Sequence, residues 1–275
     1  MQYETIHLKD VYPFLGENGC DPVLNAYLPG HVTGEVKQRP ALLVLPGGGY
    51  HFVSAREAEP IVFNFLPDGY NVFLLTYSVA PNSFPTAIRE VAAAMELIHA
   101  NAEHWNTDTT RVAIMGFSAG GHLAGHYSNC FDCPEVRAVF PESKPVQAAV
   151  LCYPVITGDP AYTHKGTFKN LSGHAEPTQD DIDKFSLDKL VSESTPPTFL
   201  WTTREDQLVP VMNTILYTKA LAEKGRPFSV HIYPFGPHGL STVDAQTNAE
   251  EKLVPGTVLA NAWMTDARKW LNITL

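Results

Sequence analysis

Cysteine, positive charge and long apolar runs are all scarce in this sequence of 275 residues. Its 4 cysteines are too few and too scattered for a disulfide framework in a chain of this length, so we expect a reducing compartment. No stretch approaches the ~18 consecutive apolar residues of a membrane-spanning helix, and the first residues do not resemble a secretory signal. These absences predict a cytoplasmic protein that has no membrane partner.

The charge balance excludes further classes of partner. The sequence has 19 Lys and Arg against 29 Asp and Glu, a formal net charge of -10 at pH 7. Nucleic acids and anionic lipid surfaces attract basic patches, so we expect neither as a partner. Apolar residues make up 44% of the chain, which is ordinary for a globular protein. We predict a single domain over residues 1–275, and the sequence leaves open whether it forms a homo-oligomer.

Short apolar runs alternate with stretches of helical apolar spacing along most of the chain. The runs predict strands and the spaced stretches predict helices. Their alternation is typical of an α/β protein with a mostly parallel central sheet and helices on both faces. The predicted strands are 5–8, 22–28, 41–45, 71–77, 111–115, 146–152, 198–203 and 228–233. The predicted helices are 57–66, 85–102, one opening at 118, 211–224 and 258–271.

Residues 155–197 interrupt this alternation. They are rich in Pro, Asp, Ser, Thr and Lys and have little periodicity, and a long irregular stretch of this kind is usually functional or mobile. We predict a cap insertion over the sheet rather than a second domain. Its larger apolar residues are scattered, so it does not offer the contiguous apolar patch that a lipid interface needs.

A Gly-Phe-Ser-Ala-Gly motif occupies residues 116–120, between a predicted strand and a predicted helix. A G-x-S-x-G in this position predicts a sharp, strained turn that lifts the serine hydroxyl above the sheet, with glycines where larger residues would collide. Ser118 is therefore the candidate nucleophile. A plain glycine-rich turn is the alternative, and the flanking strand and helix argue against it.

A second glycine-rich loop, Leu-Pro-Gly-Gly-Gly-Tyr, occupies residues 45–50. Glycine-rich loops after buried strands can also bind phosphate. This one lacks the Lys-Ser/Thr of a P-loop and the G-x-G-x-x-G spacing of dinucleotide-binding loops, so a nucleotide site is disfavoured.

Together the two motifs resemble those of the α/β-hydrolase superfamily, specifically its esterase and lipase-like branch, which includes bacterial acetyl esterases and sugar or xylan esterases. The resemblance extends in element order from about residue 41 to residue 271. It implies the α/β-hydrolase fold and a reaction that needs no cofactor and no metal. It also implies an oxyanion hole formed by the N–H of Ala119 and that of Gly48, Gly49 or both. The family's loop more commonly begins with His, where this sequence has Pro46.

The order of residues in this fold suggests the acid. In α/β-hydrolases the acid and the histidine follow the serine along the chain, each in a loop at the carboxyl end of a strand. Residues 204–210 follow the predicted strand 198–203 and resemble the family's acid loop. The resemblance therefore favours Asp206 as the acid, with Glu205 as its rival.

The histidine is chosen by position as well. Downstream of the acid loop are His231 and His238. His231 lies within a predicted strand and is interpreted as structural. His238 lies in a loop and precedes a glycine, as the family's catalytic histidine usually does. A solvated loop histidine is the alternative interpretation of His238.

Two other pairs of residues invite a metal or redox interpretation. His122 and His126 have i, i+4 spacing, but Leu123 stands where a zinc-protease helix carries Glu, so packing or hydrogen bonding is the preferred role. Cys130 and Cys133 have no second pair to complete a zinc site and do not open a thioredoxin-like unit. We interpret them as incidental.

The remaining candidates concern the substrate. Tyr50 and His51 follow the glycine-rich loop and Tyr153 follows a predicted strand, so they could line a pocket or equally belong to the core. The sequence and the resemblance predict a serine carboxylesterase for short-chain acyl esters, acetyl first, with acetylated saccharides as small-molecule substrates. The alternatives are an amidase or peptidase on the same fold, action on a thioester, and a non-catalytic binding protein.

Overall fold

The computed structural model describes residues 1–30 and 37–275. These residues form eight strands that hydrogen-bond into one sheet. The strands are Gln2–His7 (β1), Val23–Leu28 (β2), Arg39–Leu45 (β3), Asn71–Thr76 (β4), Thr107–Phe117 (β5), Ala148–Cys152 (β6), Thr198–Thr203 (β7) and Phe228–Tyr233 (β8). Their spatial order is β1-β2-β4-β3-β5-β6-β7-β8.

The same residues form eleven α-helices and several short 3-10 turns. The α-helices are Leu8–Val11 (α1), Glu59–Phe65 (α2), Thr86–Ala100 (α3), Ala119–Cys130 (α4), Pro134–Arg137 (α5), Lys165–Ser172 (α6), Gln179–Phe185 (α7), Leu187–Leu190 (α8), Met212–Glu223 (α9), Pro255–Val258 (α10) and Ala262–Thr274 (α11). The 3-10 turns are Pro13–Gly19, Ala55–Glu57, Leu66–Asp68, Glu250–Lys252 and Leu259–Asn261. None of the helices in these two ranges of the chain has the length and apolar character to cross a membrane.

The sheet is mostly parallel, as predicted. β1 pairs with β2, and β2 with β4, in antiparallel fashion. Every pair from β4 through β3 to β8 is parallel. All these parallel strands end at the same edge of the sheet, so the loops that follow them are brought together there.

Both faces of the sheet are covered, which explains the continuous apolar runs. Successive residues of β3 point to opposite faces: Leu43 joins a buried cluster with Met95 of α3, and Val44 joins another with Trp263 of α11. A strand buried on both faces has no polar side and reads as an unbroken apolar run. β5 is longer than predicted because its first residues, Thr107 and Asp108, also pair with the start of β3. A register shift separates this pairing from the rest of the β3–β5 pairing.

The 155–197 segment is more regular than its sequence suggests, because it contains α6, α7 and α8. Thr178 and Asp181 form a capping box at the start of α7, a pattern that marks a helix N-terminus in sequence. Phe168, Phe185 and Leu187 are buried in the core cluster on the α3 side of the sheet. No helix was predicted for this segment, and the structure has three.

Candidate functional site

The serine of the G-x-S-x-G motif lies at the sharp turn between β5 and α4. Ser118 has φ 54° and ψ −118° and immediately precedes the first residue of the helix. A Cβ atom on Gly116 would lie 2.1 Å from the Gly120 carbonyl oxygen, and one on Gly120 would lie 2.2 Å from the Leu45 carbonyl oxygen. Since Cβ atoms do not approach backbone oxygens so closely, the turn requires glycine at both positions.

A chain of hydrogen bonds runs from this serine to a buried carboxylate. His238 Nε2 is 2.7 Å from Ser118 Oγ, and His238 Nδ1 is 2.6 Å from Asp206 Oδ2. Asp206 Oδ1 accepts the backbone N–H groups of Leu208 and Val209, at 3.0 Å and 2.9 Å. The side chain of Asp206 is 1% exposed and that of His238 13%. An imidazole so placed between a hydroxyl and a carboxylate can remove the hydroxyl proton and make the oxygen nucleophilic.

The two rival residues lie outside this chain. Glu205 has a 44% exposed side chain that pairs with the neighbouring arginine, whereas Asp206 carries the contact to His238. His231 lies in β8, as predicted, and its ring stacks on Phe199 with centroids 4.8 Å apart. The structure thus brings together the three residues that the sequence analysis selected.

The glycine-rich loop after β3 packs against the serine turn. A Cβ on Gly47 would lie 2.9 Å from Ser118 Cβ, and one on Gly48 would lie 1.9 Å from the Phe52 carbonyl oxygen. Gly48 has φ 128° and Gly49 has φ 65°, a backbone region that residues with side chains rarely adopt. This packing brings the loop to the wall of the cavity that contains the serine.

The N–H of Ala119 belongs to the first turn of α4, where backbone donors have no partner within the helix. The Ser118 side chain makes no capping hydrogen bond to this turn. The helix N-terminus also favours negative charge. Gly48 and Gly49 line the same cavity as Ser118, and Ala119 directly follows the serine in the chain.

A buried glutamate, which the sequence analysis missed, anchors the glycine-rich loop. Glu57 is 3% exposed; its Oε2 accepts the N–H of Gly47 at 2.8 Å, and its Oε1 accepts the Tyr153 hydroxyl at 2.7 Å. The Tyr153 hydroxyl in turn accepts the N–H of Ser241 at 3.0 Å. Burial, and then the charge of Glu57, raise the pKa of Tyr153 well above its usual range, so the phenol keeps its proton as a donor.

A tyrosine completes the anchoring of the loop. Tyr77 donates its hydroxyl hydrogen to the Pro46 carbonyl oxygen at 2.6 Å. The loop, which has Pro46 where the resembled family more commonly has His, is thus held through Glu57 and Tyr77.

Two of the three predicted pocket residues do not line the cavity, and that expectation was wrong for them. Tyr50 is 2% exposed, and its hydroxyl bonds to His122 Nδ1 at 3.0 Å. Tyr153 is buried with its hydroxyl bonded as above. Both rings face inward because their hydroxyls find partners inside the protein. His51 does line the cavity.

The pairs His122/His126 and Cys130/Cys133 lie among packed side chains. His122 Nε2 bonds to the Phe185 carbonyl oxygen at 2.8 Å, and burial lowers the pKa of His122 to about 4 and that of His126 to about 3. Burial raises the pKa of Cys130 to about 12, which keeps it a thiol. Across the described parts of the chain there is no cluster of three or more His, Cys, Asp or Glu side chains suited to hold a metal.

The cavity around Ser118 and His238 has a volume of about 450 Å³. A larger groove of about 1220 Å³ adjoins this cavity, and Leu208 and His238 line both. The further polar and aromatic residues that line the cavity are His51, Phe52, Ser54, Arg56, Glu57, His164 and Asn170.

Two of these lining residues come from the 155–197 segment and were not predicted. Asn170 Nδ2 donates to the Gly49 carbonyl oxygen at 2.8 Å, across 121 positions of sequence. The Cε1 atom of His164 lies 3.7 Å from where a Cβ on Gly49 would be. Burial lowers the pKa of His164 below its usual range. Local sequence patterns do not predict contacts between segments so far apart in the chain.

The chain is similar in sequence to one protein family and to known enzymes. The sequence model of the BD-FAE family matches residues 24–221. The chain is 37% identical over 251 residues to the endo-1,4-β-xylanase B of Butyrivibrio fibrisolvens, across 88% of this chain and 38% of that protein. It is 32% identical over 219 residues to the acetylxylan esterase of Xylanibacter ruminicola, across 78% of this chain and 42% of that protein. The chain therefore spans about two fifths of the length of these two relatives.

A solved structure matches over almost the full length of both chains. The acetyl ester-xyloside bifunctional hydrolase from Caldicellulosiruptor lactoaceticus superposes with a TM-score of 0.83 at 33% identity, covering 98% of this chain and 96% of that one. The strand order and this likeness confirm the predicted α/β-hydrolase fold. Because the family match extends over most of its length, the chain belongs to the BD-FAE family.

Proposed function

We propose that this protein is a serine carboxylesterase in which Ser118, His238 and Asp206 form the catalytic triad. The observation that carries the proposal is the hydrogen-bond chain of 2.7 Å and 2.6 Å from the serine hydroxyl to a buried carboxylate. The serine sits at a left-handed turn between strand and helix, where its hydroxyl faces the cavity. The names of an acetylxylan esterase and an acetyl ester-xyloside hydrolase among its relatives support ester hydrolysis.

In the proposed cycle, His238 Nε2 takes the proton of Ser118 as Oγ attacks the ester carbonyl carbon. The resulting tetrahedral intermediate collapses when His238 gives the proton to the leaving alcohol oxygen, which leaves an acyl-enzyme. Water then attacks with His238 again as the base, releasing the acid and restoring the serine. Asp206 holds the Nδ1–H tautomer and stabilises the imidazolium.

Three backbone donors would stabilise the oxyanion of the tetrahedral intermediate. We assign this role to the N–H group of Ala119, which follows the serine at the start of α4, and to those of Gly48 and Gly49, which line the same cavity. In enzymes of this kind one such donor is worth roughly 2.7–4 kcal/mol of barrier reduction. The rigid anchoring of the loop through Glu57 supports the assignment, because donors fixed in advance need no reorganisation during the reaction.

The substrate class that we propose is short-chain acyl esters, acetyl first, of hydroxyl-rich alcohols such as acetylated saccharides. The cavity of about 450 Å³ lies toward the small end of the range for ligand pockets. Its walls carry the side chains of His51, Arg56, His164 and Asn170, which can hydrogen-bond to the hydroxyl groups of such an alcohol. We propose that the 155–197 segment acts as the cap that supplies part of this wall.

The test of the triad uses covalent labelling and a substrate panel. A fluorophosphonate probe should label the purified protein, and Ser118→Ala should remove both the label and ester turnover while the melting temperature stays close to that of wild type. Ser194→Ala, at an exposed position, should keep both. Esters, amides and thioesters with the same acetyl group are then compared. Retained labelling in Ser118→Ala, or faster turnover of the amide or thioester than of the ester, would overturn the proposal.

A further inference from the structure

The tautomer of one histidine beside the serine is fixed by the backbone. His164 is the N-cap residue of α6, and its Nδ1 accepts the Thr167 N–H at 3.3 Å and lies 2.7 Å from Thr167 Oγ1. A backbone N–H can only donate, so Nδ1 carries no hydrogen. The proton of a neutral imidazole is therefore on Nε2.

The ring stays neutral at physiological pH. Burial is the main cause that lowers the pKa of His164, and the proximity of His238 lowers it further. Within the described part of the chain, Nε2 has no hydrogen-bond partner, although the residue lines the cavity with Ser118 and His238. The cavity that contains the serine is thus lined by a residue with one unpaired N–H donor.

The helix that carries this donor is fixed to the glycine-rich loop. Asn170, one and a half turns further along α6, donates to the Gly49 carbonyl oxygen at 2.8 Å. The His164 ring itself lies 3.7 Å from the position of a Cβ on Gly49. The donor is therefore held in place before any substrate arrives.

We propose that the Nε2–H of His164 binds a hydroxyl oxygen of the alcohol part of the ester, on the carbon next to the ester carbon, and so makes His164 a specificity-determining residue. This inference rests on the esterase function proposed above. In an acetyl ester the carbonyl oxygen is taken by the oxyanion donors and the bridging oxygen by His238. The acceptor left for His164 therefore belongs to the alcohol.

The consequence is discrimination against alcohols that lack this hydroxyl. A donor in a partly buried wall loses its water when an apolar alcohol covers it and gains no partner in return. Sites built to bind a substrate hydroxyl reject the analogue without it for this reason. His164 thus selects hydroxylated alcohols.

The experiment measures a selectivity ratio. Two acetyl esters are compared: a mono-acetylated methyl xyloside with a free hydroxyl next to the ester, and its deoxy analogue without that hydroxyl. Wild type should have the higher kcat/KM for the hydroxylated ester. His164→Asn keeps an N-cap acceptor for the Thr167 N–H and removes the Nε2–H, so the ratio should fall about three- to tenfold.

Two further variants make the result decisive. His174→Asn, an exposed histidine of the same segment that pairs with Asp181, should keep the wild-type ratio. His164→Ser also retains a capping oxygen and should lose selectivity like His164→Asn, which guards against a folding defect in one variant. An unchanged ratio in both His164 variants, with both esters hydrolysed, would overturn the inference and leave the esterase function standing. No turnover of either ester by wild type would overturn both.

Discussion

Tyr153 and Gly47 donate to the two oxygens of one buried carboxylate, that of Glu57, at 2.7 Å and 2.8 Å. Tyr153 directly follows β6 and Gly47 follows β3, so the glutamate joins two loops at the same edge of the sheet. Its contact to Gly47 fixes the loop that presents the proposed oxyanion donors. Glu57 is thereby a positioning residue of the site.

Glu57→Gln should lower kcat about 10- to 100-fold with little change in KM. The amide cannot accept both hydrogen bonds, and loss of one buried bond to a charged group costs about 1.5–3 kcal/mol. Tyr153→Phe, which removes one partner and leaves Gly47 bonded, should have a smaller effect. Glu59→Gln is the matched control, because Glu59 accepts the hydroxyl of Tyr27 away from the site. Steady-state kinetics on one ester gives kcat and KM for each variant. A wild-type kcat in Glu57→Gln would contradict the positioning role of Glu57.

Asp206→Asn should lower kcat on the order of 10⁴-fold, because the amide favours the wrong tautomer of the histidine. Glu205→Gln changes the same charge on an exposed neighbour and should stay within about twofold of wild type, as expected for a surface substitution. The two variants are compared at saturating ester. A larger loss in Glu205→Gln would mean that the acid is wrongly assigned.

Glu90 in α3 predicts a pH dependence of stability. It is fully buried, and burial raises its pKa to about 7, although the Ser78 N–H partly opposes the rise. Because the folded pKa lies above the unfolded one, its contribution to stability is complete below about pH 4.5 and is lost as the pH rises through 7. Linkage makes this loss roughly 3 kcal/mol in the free energy of unfolding.

Glu90→Gln removes this titration, so its free energy of unfolding should fall less than that of wild type between pH 5 and pH 8. The carboxamide oxygen can still accept the Ser78 N–H that Glu90 now binds at 2.6 Å. Chemical denaturation at four pH values measures the difference. The exposed Glu193→Gln should follow the wild-type curve, and parallel curves for Glu90→Gln and wild type would refute the prediction.

Acyl length tests the size of the site. For a series of acetate, butyrate, octanoate and palmitate esters of one alcohol, kcat/KM should be highest for acetate and fall with each step. The reason is the volume of the cavity, about 450 Å³, which limits the length of acyl chain that it can hold. A maximum at octanoate or longer would contradict the substrate class and indicate that acyl chains extend into the larger groove beyond Leu208.

Sequence reasoning selected Ser118, Asp206 and His238, which the structure brings together, because each follows a strand of the parallel sheet. Ser118 stands in a motif whose glycines are required by backbone contacts as close as 2.1 Å, so the motif itself reports the turn. For Asp206 and His238 the chain order and the strand ends left two candidates each, because the loops that follow parallel strands meet at one edge, and the resemblance to the family favoured one candidate in each case. Strands 198–203 and 228–233 were placed correctly to the residue.

The side chains around these three residues could not be found in this way. Whether Tyr50 faces the cavity or the core is decided by a partner, His122, that lies 72 positions away. Glu57 looks like any helix-start carboxylate until the fold places the Gly47 N–H and the Tyr153 hydroxyl against it. Long-range contacts set these orientations, and they leave no periodicity or spacing in the sequence.

The bond between Asn170 and the Gly49 carbonyl bears on how new substrate preferences can be engineered or evolved. The 155–197 segment looks like a module that could be exchanged for that of a relative to change specificity. Through Asn170, however, its helix α6 also hydrogen-bonds to the glycine-rich loop that carries two of the proposed oxyanion donors. A replacement segment that has no amide at position 170 should change substrate recognition and lower the catalytic rate at the same time. In this fold, a change in specificity therefore also changes turnover.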